Sequence, residues 1–494
     1  MKAKARNNFC EGKNIAIIGS GIGGLSAGII LTQLNYAVTI VEKNPRPGGL
    51  LRSYRRGGLN CPVGVHYVGA LGADEPLGRM FKILGVNVTD FFEKMGQDGV
   101  IDRYVFDDFV FDLPAGIDAF AAGLRKSFPR ETAAVDFIMT NLREIARRMM
   151  DPAFLINQGD PFQNIDFFTP MGEVLDKLSV SPHFRAVMGV PTQLIGVPLS
   201  QCPVIFHHML LASYLFSSWR IRDDGDKLAD LLARRFRELG GKIILSDAAS
   251  RILSQEEKIS GLQLQSGVIL PADAVVSAIH PKALLGLVAE NALRDSFRQR
   301  VLSLQETEGV IAVHVAVAAL SRDAVKHNIY RLHTDERGTI LDGIFYQLKP
   351  GANGDNLLSI ITRSLYREWR AWENTKTGRR GNDYVQKKMK IAAELLARAQ
   401  QDLGNIKNAR IIDVFTPLTI RDYVNCPEGS CYGLMHSADQ LLKIASLNNF
   451  PLPGIYLTGQ NVVAPGIMGS IMGSFSAARQ IAGAEKLNKL IGTV

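Results

Sequence analysis

An apolar run, a glycine-rich turn, a helical pattern and a second apolar run follow one another within residues 15–42. Residues 15–18 predict a buried strand, residues 25–34 predict a helix, and residues 37–41 predict a second strand. A strand, a helix and a strand in this order form a βαβ unit, whose two strands are parallel. The unit therefore predicts an α/β fold built on a parallel sheet.

Glycines with G-x-G-x-x-G spacing join the first strand to the helix, at Gly19, Gly21 and Gly24, with Gly23 in the same turn. Gly19 permits the tight turn, Gly21 lets a pyrophosphate approach the backbone, and Gly24 lets the helix pack closely on the sheet. The free N–H groups and the positive dipole end of the helix favour phosphate binding. Glu42 ends the second strand, where a carboxylate can accept both hydroxyls of an adenosine ribose. Together these residues predict an adenine-dinucleotide site.

The same stretch has a second interpretation as a membrane span, because residues 15–41 contain no charged side chain and Gly24 and Gly28 form a G-x-x-x-G pair. Polar residues interrupt the run, however, and Asn35 and Tyr36 lie where a turn from helix to strand is expected. The whole chain, with 46% hydrophobic and 21% charged residues, also has the composition of an ordinary globular protein. We therefore expect no transmembrane helix here.

The 494 residues are enough for two or three domains. The net charge of +8 suits an anionic membrane surface or an acidic ligand, and no basic run or motif indicates nucleic-acid binding. Residues 1–14 lack the apolar segment of a secretory signal. The cysteines are widely spaced without a C-x-x-C pair, so we expect no metal site and a reducing cytoplasm. They are Cys10, Cys61, Cys202, Cys426 and Cys431.

Prolines and a glycine pair follow Glu42 directly, within residues 43–53. This segment resembles the GG loop of the flavoproteins related to glutathione reductase and amine oxidase, where the loop lies against the pyrophosphate and the flavin edge of FAD. The resemblance implies FAD as the cofactor and a Rossmann-like FAD-binding domain of the glutathione reductase/amine oxidase type. It also implies FAD contacts from a group of residues in this segment, namely Lys43, Gly48, Gly49 and Leu50.

Residues 59–69, with the pattern Gly-x-His-Tyr-x-Gly, resemble the superfamily of phytoene desaturases, carotenoid isomerases and retinol saturases, and residues 415–433 resemble it as well. The resemblance places His66 and Tyr67 at the isoalloxazine ring. An imidazole titrates near neutral pH, so His66 is a candidate proton donor, and Tyr67 is a candidate to relay or orient that proton. The alternative interpretation is that both side chains only pack beneath the sheet.

A second glycine-containing segment near the end of the chain resembles the same flavoproteins. Residues 454–461 predict a strand that ends in glycine, and a helix of small residues follows from about Met468. The resemblance implies that this helix directs its positive end at the flavin, where reduced flavin holds negative charge. Gln460 matches the retinol-saturase-like branch, whereas Asn461 departs from the acid that this branch carries next. The FAD contacts implied here are Gly459, Gln460, Asn461, Ile467 and Met468. Earlier in the chain, Ala249 matches the residue of these flavoproteins whose backbone meets the adenine.

Residues 190–221 contain no acidic or basic side chain before Arg220 other than the paired His207 and His208. The apolar segment from about residue 204 to 219 is too short for a membrane span. It predicts either a buried helix that lines an apolar cavity or a helix dipped into one membrane leaflet. His207 and His208 are adjacent and would point apart on a helix, so we do not predict a shared metal ion.

Strand and helix patterns divide the chain between two predicted domains. Residues 309–363 predict strands of a second sheet, and residues 383–403 predict a long amphipathic helix. The discontinuous FAD-binding domain is expected from residues 13–72, 220–285 and 410–490. A substrate domain that also faces the membrane is expected from residues 73–219 and 286–409.

By this resemblance the chain is predicted to be an FAD-dependent oxidoreductase acting on C–C or C=C bonds of a hydrophobic polyisoprenoid, such as a carotenoid or retinoid-like polyene. Chemistry of this class moves a hydride to or from flavin while the protein aligns the substrate and excludes water. We expect peripheral association with a membrane surface; the residues do not identify the electron partner. Three alternatives stay open: a flavin amine oxidase, a redox-neutral polyene cis–trans isomerase, and a non-enzymatic protein that binds prenyl tails.

Overall fold

A computed structural model describes residues 12–492 except for 89–90, 156–164, 223–224, 257, 319–325, 352–353, 405 and 407. The helices are α1 Ile22–Gln33, α2 Pro76–Ile83, α3 Ile117–Ser127, α4 Thr132–Met149, α5 Pro152–Leu155, α6 Met171–Lys177, α7 Pro182–Gln193, α8 Val204–Phe216, α9 Gly225–Glu238, α10 Pro281–Leu285, α11 Asp295–Leu302, α12 Asn382–Leu403, α13 Pro417–Val424, α14 Leu441–Ala445, α15 Gly466–Ala482 and α16 Ala484–Gly492. The strands are β1 Asn14–Ile18, β2 Ala37–Val41, β3 Ser53–Arg56, β4 Leu59–Pro62, β5 Tyr67–Gly69, β6 Phe92–Lys94, β7 Val100–Val105, β8 Val110–Pro114, β9 Ser218–Ile221, β10 Lys242–Ile244, β11 Ala249–Gln255, β12 Lys258–Leu264, β13 Ile269–Pro271, β14 Ala274–Ser277, β15 Gly309–Val317, β16 Asn328–Thr334, β17 Ile340–Lys349, β18 Asn356–Ser364, β19 Arg410–Phe415 and β20 Ile455–Leu457.

A five-stranded parallel sheet carries the predicted βαβ unit, with the strand order β10-β2-β1-β14-β20. Apolar side chains fill both faces of its inner strands, as expected for a parallel sheet covered on two sides. The predicted strands and helix of the βαβ unit are confirmed, and α1 begins three residues earlier than predicted, at Ile22. The order of the strands brings the beginning, the middle and the end of the chain into one sheet.

The helices α1 and α15 pack against each other through small residues, although they lie at opposite ends of the chain. A Cβ atom on Gly23 would lie 2.8 Å from the Cα of Gly459. Gly459 is the second residue after β20. The Ser474 hydroxyl of α15 donates a hydrogen bond of 2.8 Å to the carbonyl of Gly23. Glycine and serine therefore permit a backbone approach that larger side chains would prevent.

A seven-stranded mixed sheet forms the second layer, in the order β19-β15-β18-β17-β16-β7-β8. The strands predicted within 309–363 belong to it. The strands β7 and β8, which the sequence did not predict, lie in the segment 73–219, and β7 pairs in parallel with β16. Residues 410–415, predicted for the FAD-binding part, form β19 at the edge of this second sheet. The division of the chain into two domains stays a prediction.

The apolar helix α8 lies in the interior of the protein, and none of its side chains is fully exposed. His207 Nε2 lies 2.7 Å from the carbonyl of Met188, and His207 Nδ1 lies 2.9 Å from Nδ1 of His208. Because Leu210 and Tyr214 of this helix line a large cavity, the interpretation as a buried cavity-lining helix is confirmed. The alternative of a helix dipped into a leaflet is wrong for α8.

Within the described part of the chain, no helix is long and apolar enough to cross a membrane. The helix α1 has 12 residues, and its sequence is buried against the sheet and α15. Across the same described ranges, no group of three or more histidine, cysteine or carboxylate side chains is arranged to hold a metal ion. Cys61, Cys202, Cys426 and Cys431 are free thiols, and Cys10 lies outside the described residues.

Gly24→Ala should destabilise the cofactor-free protein by at least about 1–3 kcal/mol, the usual cost of overpacking a tight site. The added Cβ would lie 2.0 Å from the carbonyl oxygen of Gly19, which belongs to the backbone and cannot rotate away. Thermal unfolding of the two proteins measures the effect. Gly21→Ala is the matched control, since its Cβ would meet no atom within 4 Å. Equal unfolding temperatures of Gly24→Ala and the unmodified protein would contradict the prediction.

Candidate functional site

A cavity of about 850 Å³ lies between the parallel sheet and the second sheet. Of the residues predicted to form the site, Gly24 alone is not in the cavity wall, because it packs under the turn beside Gly19. The structure brings the others together around one space: Gly19, Gly21, Gly23, Glu42, Lys43, Gly48, Gly49, Leu50, His66, Tyr67, Ala249, Gly459, Gln460, Asn461, Ile467 and Met468.

Backbone from two glycine segments forms one wall of this cavity. The N–H of Gly48 donates a hydrogen bond of 2.9 Å to the carbonyl of Ser20, and Gly48 and Gly21 pair as an isolated parallel bridge. A Cβ on Gly49 would lie 3.1 Å from the Cα of Gly21. A Cβ on Gly21, by contrast, would project into open space. This glycine cradle therefore leaves room for a ligand group in direct contact with the backbone.

Two helix N-termini face the same cavity. The helix α1 begins after Gly21 and α15 begins after Pro465, and neither has a side-chain cap or an acidic residue in its first turn. The first N–H groups of each helix therefore stay available, and each helix adds a positive dipole end. A ligand that carries negative charge at two separated places fits this pair of helix ends.

The carboxylate of Glu42 lies at one end of the cavity and already accepts four hydrogen bonds. One oxygen, Oε2, accepts from the N–H of Ser20 at 3.0 Å and from its hydroxyl at 2.7 Å. The other, Oε1, accepts from the N–H of Asn44 at 2.9 Å and from its side-chain amide at 2.8 Å. A ribose hydroxyl must therefore replace the Ser20 hydroxyl or the Asn44 amide, both of which can rotate away.

Two predicted contact residues are engaged with the protein through their side chains. Lys43 Nζ donates to the carbonyl of Asp422 at 2.9 Å, and burial lowers the pKa of this ammonium group. Asn461 Oδ1 accepts from the N–H of Leu434 at 2.8 Å and so fixes the loop between α13 and α14. Contacts of Lys43 and Asn461 Oδ1 with a ligand are consequently limited, whereas Ala249, the first residue of β11, lines the cavity.

His66 lines the cavity with its ring edge-on to Phe345, the centroids being 5.6 Å apart. Burial, with smaller effects from His314 and Lys349, lowers the pKa of His66 to about 3. The imidazole is therefore neutral near pH 7, and the titration near neutral pH expected from the residue type does not occur in this environment. A neutral ring can donate one hydrogen bond, but it is not a ready proton source.

Tyr67 is joined to side chains that the sequence did not indicate. Its hydroxyl donates to Asp102 Oδ2 at 2.9 Å and lies 2.7 Å from the hydroxyl of Tyr330. Asp102 Oδ1 accepts from the amide of Asn328 at 2.9 Å. These residues come from three strands that are distant in sequence, β5, β7 and β16, so no local spacing could identify them. A carboxylate at a buried position of β7, next to apolar residues, is a signal that could have pointed to Asp102.

The model of the flavin-containing amine oxidoreductase family matches residues 22–482 of the chain. The chain belongs to this family. It is similar to all-trans-retinol 13,14-reductase from Macaca fascicularis, with 23% identity over 95% of this chain and 86% of that protein. It is also similar to all-trans-zeta-carotene desaturase from Myxococcus xanthus, with 22% identity over 90% of this chain and 89% of that protein. An oxidoreductase from Methanosarcina mazei shares the fold, with a TM-score of 0.66, 15% identity, and coverage of 94% of this chain and 99% of that one.

Membership of this flavin-containing family makes the chain an FAD-dependent oxidoreductase with a Rossmann-like α/β fold. The cavity fits that cofactor on its own geometry, because Gly21 leaves open space at the glycine cradle and the two uncapped helix ends face it. We expect the cradle and α1 to hold the pyrophosphate, Glu42 to hold the ribose, and α15 to face the flavin.

Glu42→Gln should weaken FAD binding by tenfold or more, because a hydrogen bond to a charged group contributes about 1.5–3 kcal/mol. Flavin fluorescence during titration of the cofactor-free protein measures the dissociation constant. Ser20→Ala is the matched control, since it removes one donor to Glu42 and leaves the carboxylate in place. An unchanged FAD affinity of Glu42→Gln would show that Glu42 only supports the loop through Ser20 and Asn44.

Proposed function

We propose that this protein uses reduced FAD to saturate a C=C bond of a hydrophobic polyisoprenoid, a carotenoid or retinoid-like polyene. The observation that carries this proposal is an aromatic wall around His66 and Tyr67. Tyr67 lies 4.7 Å from Tyr214, and Phe345 lies 6.1 Å from Tyr67 and 5.0 Å from Tyr330, between ring centroids. Such a wall excludes water and suits a flat, apolar chain of conjugated bonds.

The two similar proteins named above act, by their names, on a retinol and on a carotene, which supports a polyene substrate. Saturation rather than desaturation is supported by the Gly-x-His-Tyr-x-Gly pattern around His66 and by Gln460, both of which favour the retinol-saturase-like branch. A flavin amine oxidase, a polyene isomerase and a prenyl-binding protein remain the alternatives that an experiment must separate.

In this proposal FAD supplies the hydride, and the residues of the chain hold the polyene and provide the proton. The aromatic wall aligns the polyene with the flavin end of the cavity, close to the first turn of α15. Since His66 is neutral, we assign the proton to the hydrogen-bonded hydroxyl pair of Tyr67 and Tyr330, which line the same cavity. His66 then positions the substrate by packing.

Photoreducing the FAD-loaded protein without oxygen and then adding all-trans-retinol or a carotene tests the proposed function. We expect the flavin to reoxidise and the polyene to gain two hydrogens, as measured by flavin absorbance and product mass. A polyene of unchanged mass but altered geometry would favour the isomerase. Loss of two hydrogens with the oxidised protein would favour a desaturase, and flavin reduction by a polyamine such as putrescine would favour an amine oxidase.

His66→Phe should keep the rate of polyene-driven flavin reoxidation within about tenfold, because it retains an aromatic ring against Phe345. Tyr67→Phe should slow the same step by the 10²–10⁴-fold that the loss of a general acid typically costs. Stopped-flow absorbance measures both rates, and flavin content shows that FAD is still bound. A larger loss of rate in His66→Phe than in Tyr67→Phe would instead identify His66 as the proton donor.

We further propose that the protein is cytoplasmic and binds membranes peripherally at the cavity rim. Leu341 lines the cavity and is 54% exposed, close to the exposed ion pair between Arg363 and Glu308. The net charge of +8 would add attraction to an anionic bilayer. An apolar substrate could then pass from the membrane into the cavity without crossing water.

Sedimentation with phosphatidylserine vesicles tests this surface. We expect binding that weakens at high salt, because screening shortens electrostatic attraction. Leu341→Ser should reduce binding, whereas Leu442→Ser, at a residue 65% exposed but outside the cavity wall, should not. Equal sedimentation of both variants would show that the cavity rim is not the membrane-binding surface. If the unmodified protein does not sediment with the vesicles, the proposed membrane association is overturned.

A further inference from the structure

Behind the aromatic wall, a buried carboxyl group is connected to the cavity through two phenols. We propose that Asp102 stores a proton and passes it through Tyr67 and Tyr330 to the substrate carbon that does not receive the hydride. This inference rests on the proposed function and adds the source of the proton. Asp102 is 1% exposed and does not line the cavity, whereas Tyr67 and Tyr330 both do.

The direction of the hydrogen bonds in this chain depends on the charge of Asp102. When Asp102 is ionised, it accepts from Tyr67, and the single hydroxyl hydrogen of Tyr330 is donated to Tyr67. When Asp102 is protonated, it donates to Tyr67, Tyr67 donates to Tyr330, and the hydrogen of Tyr330 is free to point into the cavity. Protonation of a residue outside the cavity thus presents a proton inside it.

The surroundings of Asp102 make both charge states accessible near neutral pH. Burial raises the pKa of Asp102 to about 7, against the lowering effects of hydrogen bonds from Asn328 and Tyr67 and of the charge on Arg220. Burial also raises the pKa of Tyr67 and of Tyr330 well above the usual value of a phenol. A tyrosine without a nearby proton source would release its proton with difficulty here. The phenol must therefore regain a proton as it donates one. The titratable and charged groups that face Asp102 are Tyr67, Tyr104, Tyr214, Arg220 and Tyr330.

The step balances in atoms and electrons. Bound reduced FAD would supply a hydride, with its two electrons, to one carbon of the C=C bond. The other carbon takes the hydroxyl proton of Tyr330, Tyr330 regains a proton from Tyr67, Tyr67 regains one from Asp102, and Asp102 is left ionised. Solvent later restores the proton on Asp102 while the electron donor of the cell reduces FAD again. No tyrosinate needs to accumulate, because each oxygen gains a proton as it gives one up.

Asn328 and Gln347 hold the carboxyl group in place for this task. Gln347 Nε2 lies 3.0 Å from Asn328 Oδ1 and 3.2 Å from the carbonyl of His66, so the amide of Asn328 is turned toward Asp102. Its described hydrogen-bond partners, Tyr67 and Asn328, are neutral, and the charge of Arg220 also acts on it. Both charge states of Asp102 can keep hydrogen bonds to these neutral partners, which suits a group that changes charge.

The test uses the FAD-loaded protein and the variants Asp102→Asn, Tyr67→Phe and Tyr330→Phe. Asp102→Asn keeps the shape and can still donate to Tyr67, so the fold should survive, but it has no proton to release. Tyr104→Phe is the matched control, since Tyr104 packs edge-on against Tyr330 at 5.7 Å and is outside the cavity wall. Each protein is photoreduced and mixed with retinol, and flavin reoxidation is followed from pH 5 to 9.

For the unmodified protein we expect a rate that falls as the pH rises through about 7, because the donor must be protonated. Asp102→Asn should be 10²–10⁴-fold slower at low pH and should lack this step in its pH profile. The double variant Asp102→Asn/Tyr67→Phe should be no slower than the slower single variant, because the two residues act in series. Tyr104→Phe should keep both the rate and the profile.

Infrared difference spectroscopy provides a readout that does not depend on turnover. The oxidised protein should show a carboxylic C=O band that disappears as the pH rises through about 7, and Asp102→Asn should lack it. If polyenes reoxidise the unmodified protein but Asp102→Asn has the same rate and pH profile, or if the band is absent, the relay is overturned and the proposed function stands. If no polyene reoxidises the unmodified protein, the proposed function is overturned, and the relay as a route to a polyene falls with it.

Discussion

The backbone contact between the first and last parts of the chain is the constraint on which the site depends. Gly23 in α1 and Gly459 after β20 approach so closely that a single Cβ on Gly23 would lie 2.8 Å from the Cα of Gly459. Ser474 then ties α15 to the same turn through the carbonyl of Gly23. This contact aligns two helix N-termini along one cavity, so that each offers a positive dipole end to a bound ligand.

The parallel sheet and the glycine cradle could be predicted from the sequence because their signals are local. A strand, a glycine turn and a helix are encoded within residues 15–42, and the physical role of each glycine follows from its spacing. The strands β7 and β8 were missed because they are short and because β7, which pairs with β8, finds its other partner in β16, more than two hundred residues away. Periodicity describes the faces of an element but not its partner in the sheet.

The residues of the candidate site also divide into those with a local signal in the sequence and those without one. The residues of the cradle were predicted to converge, and they line one cavity. The bond between Asn328 and Asp102 joins positions 226 residues apart, and no spacing in the sequence indicates it. His66 was identified by residue type, but burial lowers its pKa to about 3 and changes the chemistry it can do. The residue type determines which ionisable group a side chain carries, whereas its surroundings in the fold determine the pKa of that group.

The histidine pair in α8 has a consequence for the tautomers of both rings. The carbonyl of Met188 can only accept, so Nε2 of His207 carries its hydrogen and Nδ1 of the neutral ring is an acceptor. His208 must therefore carry its hydrogen on Nδ1, which donates across the 2.9 Å contact. Burial lowers the pKa of both rings, that of His207 to about 4, so the folded protein takes up a proton less readily than the unfolded chain. Below about pH 6.5 the unfolded chain binds protons at these histidines more readily than the folded protein does, so the free energy of unfolding falls. The helix affected is α8, whose Leu210 and Tyr214 line the cavity.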